Sequence, residues 1–191
     1  MDKIIFARVI ENTCREFLDG PVRVTSSNIR LELKRDLLTT FLLFVQKSIF
    51  FKARSLLDVF GLDLLGKKKG SRLFEIYYVL PIANGSFFFL ISIYSGFNSG
   101  VYSVEKLFPS AGWLEREVWD LFGVFFFNNK DLRRILTDYG FEGFPLRKDF
   151  PLGGFFEVRY SEEYKSIIME PYENSQEFRV FQFQSPWSRL N

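Results

Sequence analysis

LFEIYYVLPIANGSFFFLISIY, residues 73–94, decides the fold class. Two runs dense in β-branched and aromatic residues flank Asn84-Gly85, a pair suited to the positive φ angles of a tight hairpin turn. Just upstream, LLDVFGLDLL (residues 56–65) reads as another strand, separated from the hairpin by the turn GKKKGS (residues 66–71). Consecutive strands joined by short turns make an antiparallel sheet. The lysine turn lacks the G-x-x-x-x-G-K spacing of a phosphate-binding loop and reads as a solvated connection.

Working outward, VRVTSSNIRLEL (residues 22–33) alternates apolar and polar residues around a Ser-Ser-Asn turn, as strand, turn and strand. Apolar residues at helical spacing predict a first helix over 4–18, ended by Gly20-Pro21, and a second over 36–49 with Leu37, Leu38, Phe41, Leu42 and Val45 on one face. A third is expected over 111–122, where Leu114, Val118, Leu121 and Phe122 share a face and Gly123 stops the chain. The expected fold is α+β, an antiparallel or mixed sheet flanked by helices, over residues 1–127.

After residue 127 prolines and glycines interrupt every candidate helix except DLRRIL (residues 131–136), where Asp131 is a candidate N-cap. Residues 128–191 therefore read as a long extended C-terminal arm. So long a segment is laid over a partner or disordered, and its many Phe and Tyr residues favour the partner.

Composition excludes several chemistries. The 191 residues include one cysteine, Cys14, and no histidine. Ser-His and Cys-His nucleophile pairs, His-liganded zinc and His-held haem are ruled out, and one thiol falls short of the roughly four that usually hold an iron–sulfur cluster. Cys14 reads as a small buried hydrophobe. The longest apolar runs fall short of the ~20 residues of a membrane-spanning helix. Residues 1–17 carry Asp2, Glu11 and Glu16 and have no long apolar core, unlike a secretory signal or transit peptide. A net charge of +2 demands no polyanionic partner. The 25 phenylalanines fit AT-rich coding, and so an organellar genome, as well as they fit selection for contact surface.

The carboxylates Glu115, Glu117 and Asp120 invite a general-acid reading, but on a helix Glu115 and Glu117 point to different faces with Arg116 between them. They read as complements to the helix dipole, or as an ion-pair cluster at an interface. Arg133 and Arg134 lie near Asp131 and Asp138, while Arg147 and Lys148 precede Asp149 and Phe150 between two prolines. Guanidinium groups in such a segment fix register against a partner's carboxylates, or satisfy turns of their own chain. The Phe-rich sheet beside a lysine turn also resembles an aromatic RNA-binding surface, without any RNP-like or KH-like signature.

The stretch EREVWDLFGVFFFNNKDLRRILTDYGFEGFPLRKDFPL (residues 115–152) and QEFRVFQFQSPW (residues 176–187) resemble the respiratory complex I subunit 9 family, the mitochondrial 30 kDa and bacterial C-type subunit. Weaker similarity runs through SLLDVFGLD and RLFEIYY. The family usually has His-Pro where this chain has Asn129-Lys130. The resemblance implies a scaffold subunit of the peripheral arm of NADH:ubiquinone oxidoreductase, a proton-translocating hetero-oligomer of the mitochondrial inner membrane. The subunit would lie on the matrix side and be organelle-encoded; a bacterial plasma membrane, cytoplasmic side, is the alternative. It implies that FMN and iron–sulfur clusters sit in other subunits and that this chain holds none. It also implies that the arm embraces the 49 kDa subunit beside the iron–sulfur subunits, with no nucleic acid bound. Expected partner contacts are Glu115, Arg116, Glu117, Asp131, Arg133, Arg134, Asp138, Arg147, Lys148, Asp149, Phe150 and Trp187.

Overall fold

The computed structural model of the chain describes residues 3–26, 28–51, 53–66, 73–82, 87–179 and 181. Residues 67–70 of the GKKKG turn, Asn84-Gly85 and Trp187 lie outside the described residues. The chain divides into two units, Met1–Phe150 and Pro151–Asn191.

In the first unit the order is α1 (Lys3–Thr13), β1 (Arg23–Val24), β2 (Asn28–Glu32), α2 (Leu38–Lys47), β3 (Asp58–Asp63), β4 (Leu73–Pro81), β5 (Phe88–Gly96), β6 (Val101–Tyr102), α3 (Ala111–Phe122) and β7 (Phe126–Phe127). Short 3₁₀ turns at Arg15–Phe17 and Arg35–Leu37 extend α1 and introduce α2. The main sheet runs β1-β2-β5-β4-β3. Its pairings are antiparallel as the turns predict, except that β2 lies parallel to β5. A parallel partner needs a long crossover, which α2, β3 and β4 supply.

The period of two along each strand sorts the sheet into faces. Ile29 and Leu31 of β2, Phe89, Ile91 and Ile93 of β5, Phe74, Ile76, Tyr78 and Leu80 of β4, and Val59 of β3 are buried together. Leu38, Phe41, Leu42 and Val45 of α2 cover them. Burying a side chain of this size is worth roughly 1.5–3 kcal/mol, so this layer dominates the stability of the unit. Cys14 is buried in the same cluster, as its sequence context suggests. On the other face the Phe60 ring stacks on Tyr77 at 5.0 Å, and Arg30 meets the nearly buried Glu75 at 2.6 Å.

The second helix is shorter at both ends than its periodicity suggests, whereas α3 has the bounds expected from its apolar spacing and from Gly123. Gly123 sits at φ +72° and its N–H bonds back to the Trp119 carbonyl. That left-handed turn is a common way to stop a helix.

The second unit holds an antiparallel hairpin, β8 (Phe156–Ser161) and β9 (Ser166–Pro171). The expected extended arm therefore contains regular structure, and FEVRYS, which alternates apolar and polar residues, forms its first strand. Among the described residues no helix is long and apolar enough to cross a membrane.

Candidate functional site

The features that shape residues 128–150 start on α3. Its apolar residues Ala111, Val118 and Phe122 face the core, and β3 lies beneath them at Gly61, where an added Cβ would press on the Phe122 ring. Two carboxylates on the same helix, Glu115 and Asp120, are also wholly buried, at 0% exposure. A buried carboxylate must find donors inside the protein, and each finds them in segments that follow or precede the helix.

Glu115 receives the Ser103 hydroxyl at 2.6 Å, the Val104 N–H at 2.8 Å and the Asn129 amide at 2.8 Å. Burial pushes its carboxyl above the usual range; these three hydrogen bonds offset part of the shift, and nearby Glu105 adds to it. The buried Tyr78 hydroxyl is raised as well, by burial and then by Glu115. Asn129 also accepts the Asp131 N–H at 3.0 Å, so the Asn129-Lys130 pair starts the next segment from the Glu115 node.

Asp120 takes a different set. Its Oδ2 accepts the N–H groups of Ile135, Leu136 and Thr137 at 3.1, 2.7 and 2.9 Å, and its Oδ1 accepts the Thr137 hydroxyl at 2.5 Å. Burial by itself would raise this carboxyl, but the Thr137 hydroxyl and the three N–H groups together hold it below the usual range. Arg134 closes the arrangement: it lies 3.7 Å from Asp120, donates to the Gly143 carbonyl at 2.8 Å and covers the Phe144 ring at 4.9 Å. The DLRRIL segment is therefore not helical. The N–H groups of Ile135 and Leu136 go to the Asp120 side chain and that of Arg133 to the Asp131 carbonyl, and Asp131 does not cap a helix but pairs with Arg133 at 2.9 Å.

At the end of α3, Arg147 donates to the Phe122 carbonyl at 2.5 Å, with the Phe144 and Phe97 rings 4.1 and 4.9 Å from its guanidinium. Lys148 donates its N–H to the nearly buried Asp63 at 2.9 Å and its ammonium to the Leu65 carbonyl at 3.2 Å. Asp63 went unnoticed in the sequence, where the inward phase of β3 was its one signal.

The expected contact residues thus divide. Glu115 and Arg116 are buried, and Arg116 lies over the Trp113 ring at 4.7 Å while donating to the Arg133 carbonyl. Neither Glu115 nor Asp120 lies in the first turn of α3, so the helix-dipole reading of these acids gives way to internal hydrogen bonding. Glu117, Arg134, Arg147 and Phe150 are half-buried, and the last packs on Phe141 at 5.8 Å. Asp131, Arg133, Asp138, Lys148 and Asp149 are exposed. The RNA-binding alternative loses its platform, because Phe87 and Phe89 are core residues and Phe88 alone of that run faces out.

Comparison with known proteins agrees with this architecture. Residues 31–156 match the family described as respiratory-chain NADH dehydrogenase, 30 Kd subunit. The chain is 42% identical over 190 residues to NADH-ubiquinone oxidoreductase subunit 9 of Acanthamoeba castellanii, covering 98% of this chain and 95% of that protein. It is 46% identical over 162 residues to NADH dehydrogenase [ubiquinone] iron-sulfur protein 3 of Patellifolia webbiana, covering 85% and 83%. Among solved structures, the trypsin-resistant fragment (1-134) of Nqo5 aligns with a TM-score of 0.55 at 28% identity, over 66% of this chain and 98% of the fragment. The chain belongs to the 30 kDa subunit family of the respiratory-chain NADH dehydrogenase, complex I, in which it is a core subunit.

Proposed function

We propose that the chain is a non-catalytic scaffold of complex I, which holds neighbouring subunits of the peripheral arm in register and carries no redox group of its own. The observation behind this reading is the β8–β9 hairpin. Phe156, Val158 and Tyr160 stand opposite Pro171, Met169 and Ile167, so one face is apolar throughout, and its large side chains are half or more exposed. The opposite face carries the bidentate pair of Arg159 with Glu170 at 2.7 and 2.8 Å. A lone two-stranded hairpin is marginal in water, and such a face gains stability by burial against another polypeptide.

The iron–sulfur group in the plant relative's name does not fit the donors of this chain. One buried thiol and no imidazole fall short of the roughly four ligands a cluster takes. Electron transfer from NADH to ubiquinone, through FMN and clusters, and proton translocation are then the work of other subunits. The 49 kDa subunit and the iron–sulfur subunits beside it are the partners we propose, on the matrix side of the mitochondrial inner membrane, with Asp131, Arg133, Asp138, Lys148 and Asp149 among the contacts.

The test is purification of NADH-oxidising complex from membranes that carry a tagged copy of this chain. The tagged chain should co-purify with that activity, and the chain expressed alone should contain no iron or acid-labile sulfide. Stoichiometric iron in the pure chain, or its absence from the active complex, would overturn the proposal.

A further inference from the structure

Residues 131–143 contain no helix or strand, yet residues 133–137 are fastened to α3 and Arg134 ties the far end of the loop back to them. Asn129 anchors the entry on Glu115, Arg116 holds the Arg133 carbonyl, Asp120 collects three successive N–H groups, and Arg134 ties Thr137 and Gly143. Within the loop the Asp138 side chain accepts the Tyr139 N–H at 2.7 Å and its carbonyl accepts the Phe141 N–H at 3.2 Å. Gly140 turns at φ +74° into open space.

What this apparatus holds up is polar backbone with two apolar side chains turned outward. Tyr139 is 100% exposed and Leu136 59% exposed, on a loop flanked by exposed Asp138 and Glu142. A tyrosine so exposed adds nothing to the folded chain, whereas a side chain carried on a loop already held in one conformation is cheap to bury in a partner. Tyrosine is also among the residues that concentrate binding energy.

We propose that this loop is a preformed knob whose Tyr139, with Leu136 beside it, inserts into a pocket of another subunit. The pocket has apolar walls, a hydrogen-bonding group at its base for the phenol, and lysine or arginine at its rim to meet Asp138 and Glu142. Asp120 and Arg134 are positioning residues that keep the loop ready. The inference rests on the scaffold reading, but it concerns a surface distinct from the hairpin. The acidic rim disfavours a second copy of this chain, whose own loop carries the same sign.

In the test, a tagged Tyr139→Ala chain competes with wild type for entry into the NADH-oxidising complex, while its thermal midpoint is measured on the isolated chain. The midpoint should match wild type and incorporation should fall about tenfold, the size of a modest hot spot; Tyr139→Phe should fall between. A photo-crosslinking residue at 139 in purified complex should mark one peptide of another subunit, rich in apolar residues and bearing Lys or Arg. Equal incorporation of Tyr139→Ala, or crosslinks to a second copy, to lipid or to nothing, would overturn the inference. If wild type itself stays out of the complex, the scaffold reading fails instead.

Discussion

The Nε of Arg147 donates a 2.5 Å hydrogen bond to the carbonyl of Phe122, the last residue of α3, and so a residue 25 positions downstream caps that helix. The last carbonyls of a helix lack partners within it and carry the negative end of its dipole, which a guanidinium satisfies on both counts. Phe74, Phe97 and Phe144 surround the same group, so the cation is held by ring faces as well as by oxygen.

Arg147→Ala should therefore destabilise the isolated chain, by about 2–3 kcal/mol from the charged hydrogen bond and ring contacts together. Arg147→Lys should recover part of this, since an ammonium keeps the charge but not the planar group that lies among the rings. Denaturant unfolding of the two variants checks both values. An unchanged midpoint in Arg147→Ala would show that the contact with Phe122 contributes nothing to stability.

Gly123 and Gly140 form an internal comparison. Both have positive φ, +72° and +74°, so a change to alanine costs each about 1–2 kcal/mol of backbone strain. At Gly140 the new methyl meets nothing, whereas at Gly123 it would collide with the Arg147 guanidinium and the Phe144 ring. Gly123→Ala should consequently lose clearly more stability than Gly140→Ala. Equal losses would mean that residues 144–147 do not pack on the end of α3.

Asp120→Asn should loosen the loop before it unfolds the domain. The amide oxygen of Asn can still accept the three N–H groups that now share Oδ2, but it does so without the charge, and the amide nitrogen replaces the oxygen that meets the Thr137 hydroxyl and Arg134. Hydrogen bonds to a charged group are worth about 1.5–3 kcal/mol, against about 1 for neutral ones. Amide hydrogen exchange at Ile135, Leu136 and Thr137 should accelerate ahead of exchange in β4 and β5. The pH dependence has a defined sign. Because the folded carboxyl lies below its ordinary value of 3.8, its stabilisation is complete above that value and is lost as pH falls through the folded one. Acid should therefore release these amides in the wild type and leave Asp120→Asn little changed.

Glu115 runs the other way. Its folded carboxyl lies above the ordinary 4.5, so its contribution is complete below that value and declines as pH rises through the folded one. Glu115→Gln keeps the shape and acceptor oxygen without an ionisation to suppress, and should flatten the pH dependence on that side. Glu115→Ala should be the more damaging change, because it strands Ser103, Val104 and Asn129. Unfolding measured from pH 4 to 8, with the usual carboxylate range about 4 as the reference point, separates the two; identical curves for wild type and Glu115→Gln would remove the pH argument.

The amino-acid sequence by itself determined the strands of the main sheet, the three helices and the stop at Gly123, because those follow from periods of two and about 3.6 and from local turn chemistry. It also determined family membership, carried by the ordered motifs over residues 115–152, and limited the metal chemistry through its lone thiol and lack of imidazole. The parallel pairing of β2 with β5 needed the tertiary structure, since the partners are about 60 residues apart and no turn joins them. So did the purposes of Glu115, Asp120 and Arg147. A charged side chain is written identically whether water, another subunit or its own backbone satisfies it, and here the donors to Asp120 lie 15 to 17 residues away in a loop without a period of its own. The tertiary structure placed that loop on α3, and with it decided which charges turn inward and which side chains, Tyr139 foremost, are left facing out.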